Sequence, residues 1–127
     1  MKRTILIVDD SETSRMIIKK CFTMTGDEDS TFLEAEDGIR ALSILVASHV
    51  DLVVTDLNMP RMDGLTLLRK LRTGVRTKSL PVVVISSMGN DHLDSELRAL
   101  DVVAIIRKPL NPTKVREAVG KNDEGGF

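Results

Sequence analysis

The chain has 127 residues, of which 42% are hydrophobic and 29% charged, enough for one globular domain with one core. Its net charge of −1 excludes a general attraction to nucleic acid or anionic lipid. Its single cysteine excludes a disulfide framework and a metal cluster built on thiolates. No apolar stretch approaches the length of a membrane span, so we expect a cytoplasmic protein with no membrane insertion.

Short apolar runs rich in β-branched residues predict five strands. In chain order they cover residues 4–8, 31–35, 51–55, 82–85 and 102–106. Because polar residues do not alternate with the apolar ones, the pattern is typical of parallel strands that are covered on both faces.

Helical periodicity of apolar residues follows each predicted strand. The five apolar faces consist of Ile17, Ile18, Cys21 and Phe22; Ile39, Leu42 and Leu45; Leu65, Leu68 and Leu71; Leu93, Leu97 and Leu100; and Val115, Ala118 and Val119. This alternation of strands and helices predicts an open α/β domain with right-handed crossovers. The apolar period is lost after Gly120, so we expect a domain over residues 1–120 and a flexible C-terminal tail over 121–127.

Polar side chains stand at the carboxyl ends of four predicted strands. They are Asp9 and Asp10 after the first strand, Asp56 after the third, Ser86 after the fourth and Lys108 after the fifth. Open α/β sheets form their binding crevice at this edge, so these side chains are expected to converge. Each has an ordinary explanation when it is taken alone, as a helix cap, a turn residue or a solvated lysine. Capping does not call for a lysine, however, and the joint arrangement favours a functional site.

The residue types indicate phosphoryl chemistry. Three carboxylates in one crevice raise one another's pKa unless a cation lies among them. Hard oxygen ligands suit Mg²⁺ or Mn²⁺, and such a metal commonly takes a phosphate as a further ligand. A lysine and a hydroxyl beside them would hold phosphoryl oxygens. We therefore interpret Asp56, at the tip of a buried strand, as a nucleophile that accepts a phosphoryl group as an acyl phosphate.

Four segments carry a resemblance to a known family: "ILIVDDSETSR", "DLVVTDLNMPRMDGL", "LPVVVISS" and "RKPL". In this order and at these intervals they resemble the receiver domain of two-component response regulators, most closely the single-domain chemotaxis type. The resemblance covers about residues 3–119. It implies a flavodoxin-like, three-layer α/β fold, in which a five-stranded parallel sheet of order 2-1-3-4-5 is flanked by five helices.

The resemblance also implies the role of each site residue. Asp56 would be the phosphoryl acceptor, Ser86 would hydrogen-bond the phosphoryl group and Lys108 would pair with it. The Mg²⁺ (or Mn²⁺) ligands would be Asp9, Asp10, Asp56 and the backbone carbonyl of Asn58.

The implied partners are proteins. A histidine kinase would be the phosphodonor, and an output partner would bind the face formed by the fourth helix, fifth strand and fifth helix, with no direct contact to nucleic acid. We interpret the chain as a phospho-accepting switch and not as an enzyme, even where it accelerates its own phosphorylation and dephosphorylation.

Three features depart from the family pattern. Ile105 stands three residues before Lys108, where the family usually has a tyrosine or phenylalanine that changes its orientation on switching. We therefore expect the loop 86–90 and the fourth helix, 91–100, to carry the conformational signal. Leu100-Asp101 replaces the usual Gly-Ala pair. The last helix is expected to be short and to end at Gly120, which leaves open a receiver excised from a larger multidomain regulator.

Other protein classes explain the pattern less well. A haloacid-dehalogenase-like phosphatase also uses an aspartate nucleophile, Mg²⁺, a hydroxyl and a lysine. Its nucleophile lies on the first strand, however, and its further acids follow the lysine, whereas here the acid pair comes first. A nucleotide-binding module would need a glycine-rich phosphate loop, which the sequence lacks. A receiver-like domain that no longer accepts phosphate would need a specific blockage, because all the required groups are present.

Overall fold

A five-stranded parallel sheet forms the centre of the molecule in the computed structural model, which describes residues 2–87 and 89–124. The strand order is β2-β1-β3-β4-β5, and all neighbouring strands are parallel. The strands are β1 (Thr4–Val8), β2 (Thr31–Ala35), β3 (Leu52–Asp56), β4 (Val82–Ser86) and β5 (Ala104–Arg107). The predicted fold class and strand order are confirmed.

Five helices connect and follow the strands. They are α1 (Glu12–Phe22), α2 (Gly38–Ala47), α3 (Gly64–Thr73), α4 (Asp91–Ala99) and α5 (Pro112–Glu124), with a short π-helical segment, Thr23–Asp27, after α1. The N-caps of α1 to α4 each use a side-chain oxygen to accept a hydrogen bond from a backbone N–H of the first turn; they are Ser11, Asp37, Asp63 and Asn90. These caps satisfy free backbone N–H groups and fix where each helix begins. Among the helices described, none is long and apolar enough to cross a membrane.

The sheet separates two layers of core. Alternate residues of β1 point to opposite faces: Leu6 packs on the side of α2, α3 and α4, whereas Ile7 packs on the side of α1 and α5. The same alternation holds in β3 for Val53 and Val54. All five residues of both β3 and β4 are buried, as expected for central strands of a parallel sheet.

One expectation about the helices is wrong in detail. The last helix does not end at Gly120 but continues to Glu124, because a single glycine costs about 1 kcal/mol relative to alanine and does not stop a helix by itself. Residues 125–127 of the expected tail lie outside the described part of the chain. Ile17 and Ile39, which belong to the predicted apolar faces of α1 and α2, are 46% and 52% exposed, because the core contacts of these helices are narrower than their apolar stripes.

The Leu100-Asp101 pair builds an unusual turn between α4 and β5. Asp101 adopts a left-handed conformation with a φ of 58°, which aspartate tolerates better than most residues. The guanidinium of Arg72, on α3, donates hydrogen bonds to the carbonyl oxygens of Leu100 at 2.7 Å and Leu80 at 2.8 Å. Arg72 therefore ties this turn to the segment that precedes β4.

Candidate functional site

The carboxyl ends of β1, β3, β4 and β5 bring the predicted site residues to one edge of the sheet. Asp56 is the last residue of β3 and lies in register with Ile85 of β4. Ser86 ends β4 and lies in register with Arg107 of β5, and the backbone N–H of Lys108 donates to the Ser86 carbonyl at 2.9 Å. The sheet register therefore fixes the relative height of Asp56, Ser86 and Lys108.

Three carboxylates converge at this edge. Asp9, Asp10 and Asp56 each offer one oxygen, and these oxygens lie within 4.8 Å of one another. Asp9 and Asp56 are buried and Asp10 is exposed. The cluster is therefore open to solvent on one side, which leaves an approach for an ion or a phosphodonor.

Lys108 lies beside the cluster. Its Nζ is 3.4 Å from Oδ1 of Asp56 and 3.6 Å from Oδ2 of Asp9. The peptide bond between Lys108 and Pro109 is cis. One ammonium thus faces two buried carboxylates, so the charges among the described side chains do not balance without a further cation.

The pKa of Asp56 reflects this environment. Burial raises it above the ordinary value, the nearby charge of Lys108 opposes that rise, and the charge of Asp9 adds to it. Because Lys108 offsets only part of the cost of burying the Asp56 anion, a further cation beside this carboxylate would stabilise its charged form.

The donor set fits a hard divalent cation. Oδ1 of Asp9 accepts a hydrogen bond from the backbone N–H of Ser11 at 2.9 Å. Its other oxygen, Oδ2, is buried and accepts no hydrogen bond from any residue that the structure describes. A buried oxygen in this state is costly and suits a metal ligand, and carboxylates of this kind are ligands that Mg²⁺ and Mn²⁺ prefer.

The capping explanation of these acids does not hold for Asp10. Ser11, and not Asp10, caps α1, since Oγ of Ser11 accepts from the backbone N–H of Ser14 at 3.2 Å. The nearby Asp63 is a cap, because its Oδ1 accepts from the Thr66 N–H at 2.8 Å. Asp63 is therefore a structural cap, whereas Asp10 belongs to the carboxylate cluster.

Two further predicted site residues are Ser86, at the end of β4, and Asn58, in the loop after β3. Ser86 is buried and Asn58 is exposed. Both line a cavity of about 340 Å³ between the loops that follow β3 and β4. Ser86 therefore lies where the end of β4 meets the space between the two loops.

Comparisons with known proteins agree with this geometry. The profile of the response regulator receiver domain matches residues 5–120. The chain belongs to this family. Receivers are signalling switches of two-component systems that accept a phosphoryl group, so the predicted class of function is confirmed and the phosphatase alternative is not favoured.

Individual relatives support the single-domain receiver type. The chemotaxis protein CheY1 of Helicobacter pylori is 38% identical over 125 residues, covering 94% of this chain and 98% of that protein. The structure of the chemotaxis response regulator CheY4 of Vibrio cholerae superposes with a TM-score of 0.82 at 23% identity, over 95% of this chain and 98% of that one. The structure of the phosphorylated cyanobacterial phytochrome response regulator RcpA gives a TM-score of 0.80 at 25% identity, and the match covers 98% of this chain and 93% of that one.

Two structural contacts beside the site were not predicted from the sequence. Arg107 donates from Nη2 to both carboxylate oxygens of Asp94 on α4, at 2.8 and 2.7 Å. Gly64 begins α3, and a Cβ there would overlap the backbone carbonyl oxygen of Asp56. A signal for Gly64 exists in the sequence, because an Asp-Gly pair, Asp63-Gly64, follows Asp56 closely and marks a turn or the start of a helix.

A divalent cation should stabilise the metal-free receiver. At a Mg²⁺ concentration about 100 times its Kd, we expect the free energy of unfolding to rise by about 2.7 kcal/mol, because the ion relieves repulsion in the cluster. Thermal melts with MgCl₂, against NaCl of equal ionic strength, measure this. Asp10→Asn should lose most of the rise. Equal shifts in NaCl, or an undiminished shift in Asp10→Asn, would show that the carboxylates do not bind the ion.

Proposed function

We propose that this receiver accepts a phosphoryl group on Asp56 from a histidine kinase, in a Mg²⁺-dependent reaction, and thereby controls a protein output partner. The observation that carries the proposal is the convergence of three carboxylates and the Lys108 ammonium at the carboxyl edge of the sheet. The names of the chemotaxis relatives support a signalling pathway of that kind. A location in the cytoplasm is part of the same proposal.

Asp56 acts as the nucleophile. Its carboxylate oxygen forms the bond to phosphorus while the bond from phosphorus to the donor imidazole nitrogen breaks, and that nitrogen takes up a proton. Lys108 holds Asp56 in its charged form and is within reach of the oxygens of the incoming group. Asp9, Asp10, Asp56 and the Asn58 carbonyl would hold Mg²⁺, which when bound neutralises charge on the phosphoryl oxygens.

Phosphorylation changes the charge at the strand tips. A phosphoryl group on a side chain carries about −1.5 to −2 charges, here on a residue that faces Lys108. The Ser86 hydroxyl and the Lys108 ammonium can both donate hydrogen bonds to the new phosphoryl oxygens. These bonds draw the loops after β4 and β5 toward Asp56. An output partner that prefers the resulting surface of α4, β5 and α5 increases the population of this conformation. The increase is limited by the difference between its affinities for the two conformations.

Arg107 is proposed to couple this loop movement to α4. Ile105 is partly buried in the core on the side of α2 to α4, and as an aliphatic residue with a stiff χ1 it cannot take over the role of a rotating aromatic. Arg107 stands two residues later on the same strand face and holds Asp94 in the first turn of α4. A Cβ built on Gly89 would lie 3.0 Å from Nη2 of Arg107, so the same side chain also packs against the loop after β4.

Removal of Arg107 should loosen that loop and the start of α4. We expect Arg107→Ala to increase amide hydrogen exchange about fivefold over residues 89–94, since a partly exposed bidentate pair contributes roughly 1 kcal/mol after screening by solvent. Arg69→Ala is the matched control, because its ion pair with Glu96 of α4 is longer, at 3.7 Å, and more exposed. Unchanged exchange in Arg107→Ala, or equal changes in both variants, would remove Arg107 from the switch.

The protein is a signalling switch, and any self-catalysed phosphorylation or dephosphorylation serves that role. A receiver domain over residues 1–120 is part of the same proposal, and the family match over 5–120 supports it. Free-standing and excised receivers would use this site in the same way.

Phosphoryl uptake tests the proposed function directly. Wild-type protein incubated with acetyl phosphate and Mg²⁺ should gain one phosphoryl group by intact-mass spectrometry. The adduct should be stable in acid and lost in base, as an acyl phosphate is. Omission of Mg²⁺ with a chelator present should prevent the gain. A base-stable adduct, or uptake that does not depend on a divalent cation, would contradict the mechanism.

A further inference from the structure

An apolar groove lies between the C-terminal parts of α2 and α3, at the end of the domain away from Asp56. Its volume is about 410 Å³. The residues that line it are Leu42, Leu45 and Val46 of α2, Lys70 of α3, and Gly74, Val75, Arg76 and Thr77 of the following loop. The phosphoryl site uses none of these residues.

The apolar side chains around this groove are unusually exposed. Val75 is 87% exposed and Val46 is 77% exposed. Ile39, about two turns before Val46 on the same face of α2, is 52% exposed. The sequence of α2, "GIRALSILVA", has only Arg40 and Ser43 as polar residues. A helix that packs on the core with one face normally carries polar residues on the other. The apolar outer face of α2 therefore indicates that another surface covers it.

The charge around the groove has one sign. Residues 38–50 and 64–80 contain six arginines and lysines and no aspartate or glutamate, although the whole chain has a net charge of −1. Lys70 and Arg76 are exposed at the groove. A second copy of this face would bring like charges together, which opposes a symmetric dimer here. The charge instead complements an acidic partner.

We propose that this groove docks an acidic amphipathic helix of a partner protein. Leucine-like side chains at positions i, i+3 or i+4, and i+7 would enter the cleft between Val46 and Val75, and carboxylates beside them would face Lys70 and Arg76. A concave cleft suits a helix better than it suits a lipid surface, which takes protruding side chains. The absence of tyrosine and tryptophan from the chain disfavours stacking on nucleic-acid bases.

A designed peptide tests this groove. The probe is a fluorescein-labelled helix of about 15 residues, roughly four turns, with leucines on one face and glutamates beside them. One control peptide has the same composition in scrambled order, and a second has lysine in place of glutamate. By fluorescence anisotropy, the wild type should bind the probe at least about tenfold more tightly than either control, a difference of about 1.4 kcal/mol.

Variants locate the binding. Val46→Glu should weaken binding of the probe at least about tenfold, because it places an acid in the groove. Met24→Glu is the matched control and should bind as the wild type does, since Met24 is a 58% exposed residue on the segment after α1. Asp56→Asn should also bind the probe normally, which separates this inference from the proposed phosphoryl site. Loss of probe binding in Asp56→Asn would show that the groove depends on the phosphoryl site, and it would overturn the proposal of an independent site.

Three further results would overturn the proposal. One is binding by Val46→Glu as tight as that of the wild type. Another is wild-type binding to phosphatidylglycerol vesicles that Val46→Glu abolishes, which would assign the groove to a membrane surface. The third is self-association in sedimentation velocity that Val46→Glu abolishes, which would assign it to a second copy of the chain.

Discussion

Asp56→Asn is expected to take up no detectable phosphoryl group from acetyl phosphate and Mg²⁺, a loss of at least about 1,000-fold in the rate of uptake. The substitution keeps the shape of the side chain and removes the anionic oxygen that forms the bond to phosphorus. It also relieves the buried charge whose pKa is raised, so the variant should remain folded. Intact-mass spectrometry and circular dichroism of the same sample separate loss of chemistry from loss of fold.

The matched control is Asp63→Asn, in the same loop. Asp63 caps α3 through a hydrogen bond from the Thr66 N–H, and asparagine caps a helix about as well as aspartate. Asp63→Asn should therefore take up one phosphoryl group as the wild type does. Uptake that persists in Asp56→Asn would move the acceptor to another residue, and peptide mapping of the adduct would identify it.

The convergence of the site follows from features that are local in the sequence. The acids, the serine and the lysine stand at the ends of apolar strands or just after them, and parallel strands place their carboxyl ends on one edge. The strand order could be inferred because the motif set resembles a family of known topology. The predicted bounds of β1 and β2 match the structure, whereas the predicted ends of β3 and β4 fall one residue early, because each of these strands ends on a polar residue, Asp56 or Ser86.

Contacts between elements distant in the sequence could not be predicted in the same way. The pair between Arg107 and Asp94 joins a strand to a helix, and neither residue breaks a local pattern. The exposure of Ile39 depends on how α2 packs beside α3. The apolar period along α2 gives no information on that packing. The end of α5 was misplaced because the preference of glycine is weak compared with the rest of the helix.

Gly64 lies where the end of β3 and the start of α3 are closely packed. Its backbone N–H donates to the Leu57 carbonyl at 2.9 Å, which closes the loop that begins at Asp56. A Cβ at this position would overlap the Asp56 carbonyl oxygen and lie 3.0 Å from Cα of Leu57. Both atoms belong to the backbone at the end of β3, a central strand of the sheet, so neither can move aside as a flexible side chain would.

Gly64→Ala should consequently destabilise the receiver by about 3 kcal/mol, the upper part of the usual range for overpacking, because the clash is with backbone. Urea unfolding followed by circular dichroism measures the free energy of unfolding. Gly120→Ala is the matched control: the nearest atom to its added Cβ is 3.7 Å away, and α5 continues through it. That variant should gain about 0.5–1 kcal/mol from helix propensity. If Gly64→Ala unfolded within about 0.5 kcal/mol of the wild type, the loop after Asp56 would have room to shift, and the close approach would not hold the acceptor in place.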